Sequence, residues 1–118
     1  MNGILVVAHG SRAKETEAVL EEVLAMAKAK LPDAVIEHAF MEFSERSLDK
    51  GVSALVERGV TEIKIVPYFL FMGIHLKEDI PEMVVECAKE FPEIKITMGE
   101  TLGADPRLAD ILVDRIKG

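Results

Sequence analysis

Two imidazoles and a carboxylate stand where three successive strands should run out. His9 directly follows the apolar run Gly3–Ala8. Glu42 follows a run that ends at Phe40. His75 comes at the end of the long apolar stretch Val66–Ile74. Two neutral imidazoles with a carboxylate suit a divalent first-row metal such as cobalt, iron, nickel or zinc. Neutral imidazole is also the side chain best able to take up a proton near neutral pH. Arg12 and Lys77 flank the two histidines. They read either as ordinary solvated charges or as the cations that an anionic ligand at this edge would meet. Glu42 has a bland reading as well, an exposed carboxylate with Glu45 close by. The third histidine, His38, falls inside a strand and reads as a packed or edge residue rather than a ligand.

The elements that must position these residues follow from periodicity. Gly3–Ala8 is continuously apolar, as expected of a strand buried on both faces in a parallel sheet. A helix is predicted from Arg12 to about Lys30, with Ser11 as its N-cap. Its inner stripe is read as Val19, Leu20, Val23, Leu24, Met26, Ala27 and Leu31. Ala34–Phe40 is the second strand. A helix from about Ser47 to Arg58 follows, stopped by Gly59. The third strand lies within Glu62–Tyr68. The chain then stays apolar through Phe69–Ile74, where connections are normally polar. The third helix is predicted from about Ile80 to Glu90, with Pro81 in its first turn. Ile94–Met98 is the fourth strand. Asp105 and Pro106 open a last helix whose inner face is read as Leu108, Ile111, Leu112 and Ile116.

Four β-α units in 118 residues predict one three-layer α/β/α domain, residues 1–118, with right-handed crossovers. With a flavodoxin-like strand order 2-1-3-4, ligands bind beyond the carboxyl ends of the strands where the order reverses. Neighbouring strands are about 4.8 Å apart, so His9, Glu42 and His75 can converge within roughly 10 Å.

A net charge of −7 argues against nucleic acid or an anionic membrane surface as a partner. The single cysteine, Cys87, excludes an internal disulfide and a CxxC metal site, and reads as a packed thiol on a helix. The longest apolar run is too short to span a bilayer, and a cytoplasmic protein without a signal peptide is expected. There is no P-loop, no GxGxxG after a strand, no acidic phosphate acceptor after strand one and no GxSxG turn.

Val6–Arg12 resembles the amino-terminal signature of the short, CbiX-type sirohydrochlorin chelatases. Pro67–Leu70 with Gly73, His75 and Asp79–Pro81 resembles their second signature, and Leu102–Leu108 resembles the start of their last helix. The resemblance covers the whole chain in order. It implies ATP-independent insertion of a divalent metal, Co2+ foremost and Fe2+ or Ni2+ as variants, into sirohydrochlorin in cobalamin- or siroheme-type biosynthesis. It implies no permanently bound cofactor, the metal being a substrate. Carried over by position, His9 and His75 match metal-binding and catalytic histidines, and Glu42 an assisting catalytic carboxylate. Read from the residues themselves, Ser11, Arg12, Phe69, Leu70, Gly73 and Lys77 are the expected substrate-contacting residues. Arg46 stands where many relatives carry proline, which is expected to shift the start of the second helix and the aim of Glu42. A homodimer is expected, because the apolar Phe69–Ile74 stretch needs covering.

Two rivals share these features. A non-catalytic tetrapyrrole or metal carrier would use the same histidines without turnover. A flavodoxin-like FMN module has a similar sheet, but His9–Gly10–Ser11–Arg12 is a poor phosphate loop.

Overall fold

The computed structural model describes residues 1–118, with every side chain except that of His75. The chain runs β1 (Asn2–Ala8), α1 (Glu15–Lys30), β2 (Val35–Phe40), α2 (Leu48–Glu57), β3 (Glu62–Pro67), α3 (Ile74–Glu90), β4 (Lys95–Met98) and α4 (Pro106–Lys117). The strands form one sheet in the order β2-β1-β3-β4, every pair parallel. This is the α/β fold that the alternating runs predict, in the flavodoxin-like order 2-1-3-4 expected for it.

The two faces of the sheet are built differently. On one, Leu5, Val7, Ala39, Ile63 and Ile65 pack under Leu48, Val52 and Leu55 of α2 and Cys87 of α3. Full burial of each large aliphatic side chain contributes about 2 kcal/mol, so this face carries most of the core. Cys87 is the packed thiol expected, its pKa raised first by burial. Gly59, at φ +86°, closes α2 in the left-handed conformation that glycine adopts freely. On the other face α1 lays only Leu20 and Leu24 on Val6, Ala8, Ile36 and Phe40.

Two helices depart from the expected pattern on this second face. Helix α1 starts at Glu15, and Ser11 does not cap it. The Ser11 hydroxyl instead accepts from the Ala13 N–H at 3.1 Å, closing a separate turn before the helix. Val19, Met26 and Leu31, read as inward, are exposed. One helix lying on one face makes a narrow stripe of contact, and the i, i+4 pair Leu20 and Leu24 fills it.

Helix α4 starts as expected, with the Asp105 carboxylate accepting from the Arg107 N–H at 2.9 Å and Pro106 in the first turn. Its apolar side, however, does not reach the core. No α4 residue is buried, and Leu112 and Ile116 are 61% and 73% exposed. The sheet beneath offers it little. Strand β4 has only four residues, and the polar pair Lys64 and Thr97 sits side by side in register, both exposed.

His38 is packed, as expected, on the α1 side of β2. It is 9% exposed, with neither ring nitrogen hydrogen-bonded. Glu21 of α1 lies 3.6 Å from Nε2, and Phe40 meets the ring edge-on. Burial first, then the Arg46 guanidinium, lowers its pKa below the ordinary 6.5. Lys28 acts in the same direction, and Glu21 and Glu37 oppose it. The unfolded chain therefore binds this proton more readily than the folded one. Stability is complete above 6.5 and falls as pH drops below it toward the lowered folded value. Thermal unfolding at about pH 7.5 and about pH 5.5 should show a larger loss of Tm for the parental protein than for His38→Leu. Equal losses would mean that His38 contributes nothing to acid sensitivity.

Candidate active site at the carboxyl edge of the sheet

Three loops meet beyond the carboxyl ends of β1, β2 and β3, and backbone contacts hold them together. The Met41 N–H donates to the Ala8 carbonyl at 2.9 Å, and the Tyr68 N–H to the Val7 carbonyl at 2.7 Å. Both bonds extend the ladders of β1 past the strands themselves. Gly10 then crosses so close to the loop after β2 that an added Cβ would lie 1.6 Å from the Glu42 carbonyl oxygen. Residue 10 must therefore lack a side chain for this crossing to exist.

The crossing brings the first two candidate residues together. His9 Nδ1 lies 2.9 Å from Glu42 Oε1. An ionised carboxylate can only accept, so Nδ1 carries the proton and donates it, which leaves the Nε2 lone pair available. The pair is solvent-exposed, with side-chain exposures of 56% and 38%. Exposed ion pairs contribute at most about 1 kcal/mol, so the bond matters for the orientation of the ring. Phe69 holds its other side, edge-on with ring centroids 4.8 Å apart. Phe69 itself is buried, and its carbonyl accepts from both the Thr101 hydroxyl and the Leu102 N–H. The loop after β3 is thereby tied to the loop after β4.

The third candidate ligand sits differently from the expected loop position. Helix α3 begins at Ile74, capped by Gly73 in an extended conformation (φ −72°, ψ 171°), and it runs through Pro81. His75 and Lys77 thus belong to its first turn. The sequence reading took Pro81 as a first-turn residue. Here Pro81 lies well inside the helix, where its missing N–H leaves one i→i−4 bond unmade. The side chain of His75, expected to bind metal, lies outside the described residues. Its backbone follows within a few residues of Phe69, whose ring touches His9.

Of the expected substrate-contacting residues, Arg12, Leu70, Gly73 and Lys77 are exposed around this edge and Ser11 is half-buried. Neither Arg12 nor Lys77 makes an ion pair among the described residues. Leu70, Phe71 and the apolar side of α4, including Leu108, Ile111 and Leu112, line an open groove of about 970 Å³.

Two features had gone unread in the sequence. Phe43, next to Glu42, is the one described non-glycine residue with positive φ, at 58°, and the Arg12 guanidinium lies 5.0 Å from its ring centroid. Arg46 holds the base of the same loop. Its guanidinium donates to the His38 carbonyl at 3.3 and 3.2 Å and to Glu37 at 3.0 Å, while its own carbonyl accepts from the Phe40 N–H at 2.7 Å. Helix α2 still begins at Leu48, directly after Ser47. The helix thus starts one residue after the Ser47 bound read from its apolar pattern.

The chain is thus an open, doubly wound α/β sheet with an imidazole–carboxylate couple at its carboxyl edge and a second histidine in the adjoining helical turn. The CbiX family model matches residues 3–118, and the chain belongs to that family. The sirohydrochlorin cobaltochelatase of Sulfolobus acidocaldarius is 35% identical over 98% of this chain and 89% of its own length. The sirohydrochlorin ferrochelatase of Priestia megaterium is 36% identical over 98% of this chain, but over 44% of its own length. This chain thus spans about half of that longer relative. Among solved structures, a cobalamin biosynthesis CbiX protein from Marinobacter aquaeolei superposes with a TM-score of 0.83 at 32% identity, covering 99% of this chain and 95% of that one. The sirohydrochlorin chelatase SirB from Bacillus subtilis subspecies spizizenii, in complex with cobalt, superposes with 0.90 at 34% identity, covering 98% of this chain and 50% of SirB.

Proposed function

We propose that this chain is a sirohydrochlorin chelatase, inserting a divalent metal into the macrocycle without ATP and acting as one chelatase-like unit over residues 1–118. The observation that carries the reading is the His9–Glu42 pair at the ends of adjacent strands, with Nε2 left to bind a metal or accept a proton. Insertion replaces two pyrrole N–H protons by the metal. The neutral imidazole of His9 can accept one of them, Glu42 stabilising the imidazolium that results, and the second proton leaves to bulk water. His75, in the first turn of α3, is assigned as the second metal-handling group. The macrocycle carries eight carboxylates and the protein a net charge of −7, so local groups must receive it. Arg12, Lys77 and Ser11 are the polar groups assigned to that task, with Leu70 and Gly73 forming the apolar rim over the buried Phe69.

Cobalt is the metal we favour, with Fe2+ and Ni2+ as variants. Relatives that this chain covers nearly end to end carry the cobaltochelatase name, at 89% and 96% of their length. The ferrochelatases it matches are about twice as long, covered to 44% and 52%. No cofactor besides the metal substrate is invoked. A cytoplasmic setting fits the one buried thiol, and no described helix is long and apolar enough to cross a membrane.

We also propose that the working form is a homodimer. The chain aligns with half of SirB, so a second copy can stand where that protein has its other half. The uncovered side of α4, together with Leu70 and Phe71, supplies an apolar surface for it.

The experiment is an anaerobic insertion assay with sirohydrochlorin and Co2+, Fe2+ or Ni2+ supplied separately, followed by the absorbance of the metallated product. Many turnovers per protein, fastest with cobalt, are expected. One equivalent of product, or tight binding with none, would make the protein a carrier.

A further inference from the structure

We infer that Phe43 is a positioning residue for Arg12, holding its guanidinium beside the His9–Glu42 pair where a carboxylate of the bound macrocycle can meet it. This rests on reading the site as that of a tetrapyrrole chelatase. Three observations converge on it. Phe43 adopts a left-handed backbone conformation, φ 58°, which is unfavourable for a bulky side chain and easy for glycine or asparagine. It gains no burial in return, since it is 58% exposed. Its ring lies under the Arg12 guanidinium, 5.0 Å from centroid to the central carbon.

The arrangement is fixed by the same crossing that builds the rest of the site. Gly10 abuts the Glu42 carbonyl, and the residues on either side pair across the two loops, His9 with Glu42 and Arg12 with Phe43. A guanidinium held over a ring through its central carbon keeps its N–H donors free at its edges. Those donors form the fork that matches a carboxylate, and an arginine held over a ring loses less freedom on binding one than a free arginine does. The ring thus pre-sets a cation that a long exposed side chain would otherwise carry through many rotamers.

The test is an anaerobic fluorescence titration with metal-free sirohydrochlorin, beside thermal unfolding of each variant. Phe43→Asn removes the ring but tolerates the left-handed backbone. It should unfold at or above the parental temperature and raise Kd roughly three- to fivefold, the scale of an exposed cation–π contact. In steady-state insertion the loss should fall on KM rather than kcat. Phe43→Tyr keeps the ring and should restore parental affinity. Arg12→Ala combined with Phe43→Asn should bind no worse than Arg12→Ala alone, because the ring acts through the arginine. An unchanged Kd in Phe43→Asn overturns the proposal, as does a double variant weakened by the product of the two single effects. A parental protein that binds no sirohydrochlorin overturns the chelatase reading itself, a result distinct from either.

Discussion

His9→Ala is expected to slow single-turnover insertion of cobalt into sirohydrochlorin by roughly a hundredfold or more, the range for loss of a positioned proton acceptor, while leaving the fold intact. The side chain is more than half exposed and contributes nothing to either core cluster, so its removal costs little stability. His75→Ala should fall by a similar factor if the two histidines handle one ion. The double variant should then be little worse than the worse single one, because members of a working unit are not additive. Glu42→Gln keeps the shape of the residue but removes the charge that fixes the Nδ1–H tautomer of His9. A milder loss, about tenfold, is expected. Stopped-flow absorbance at fixed pH, with circular dichroism on each variant, measures all four. Parental insertion rates in folded His9→Ala and His75→Ala proteins would remove the site assignment and the mechanism with it.

The second large effect is expected at α4. Leu112→Asp together with Ile116→Asp should leave the protomer as stable as before, since both residues already face water. In a dimer that buries this side, two carboxylates on each protomer would lose their hydration. A penalty of ~3 kcal/mol for each corresponds to about a hundredfold in the dissociation constant. Sedimentation at micromolar concentration should show a dimeric parent and a monomeric variant, with insertion lost in the variant. A parent that sediments as a monomer and still turns over would end the dimer proposal.

The sheet was legible because each strand is a short run rich in β-branched and other apolar residues between helical stretches, and the carboxyl edge followed from the expected strand order. His9 and Glu42 were placed together for the same reason, as residues just beyond two neighbouring strands. The features that escaped depend on contacts between distant segments. Pro81 marks a first turn on local rules, yet α3 starts earlier, at Ile74, and carries the proline inside. Leu108, Ile111, Leu112 and Ile116 have the spacing of a core face. Spacing alone does not reveal that the sheet below presents Lys64 and Thr97. The left-handed backbone at Phe43 has no signature in its residue type, because a residue that favours that conformation would be glycine or asparagine.

The crossing of Gly10 over the Glu42 carbonyl also divides the site along the chain. What brings His9 and Glu42 together, from the β1–β2 ladder to the Met41–Ala8 bond, lies in and directly after the first βαβ unit. The Phe69 ring against His9, and the first turn of α3, come from beyond β3, on the opposite side of β1 from β2. The two halves of the site thus share only the central strand, and both neighbours of β1 must be in place for them to stand at one edge.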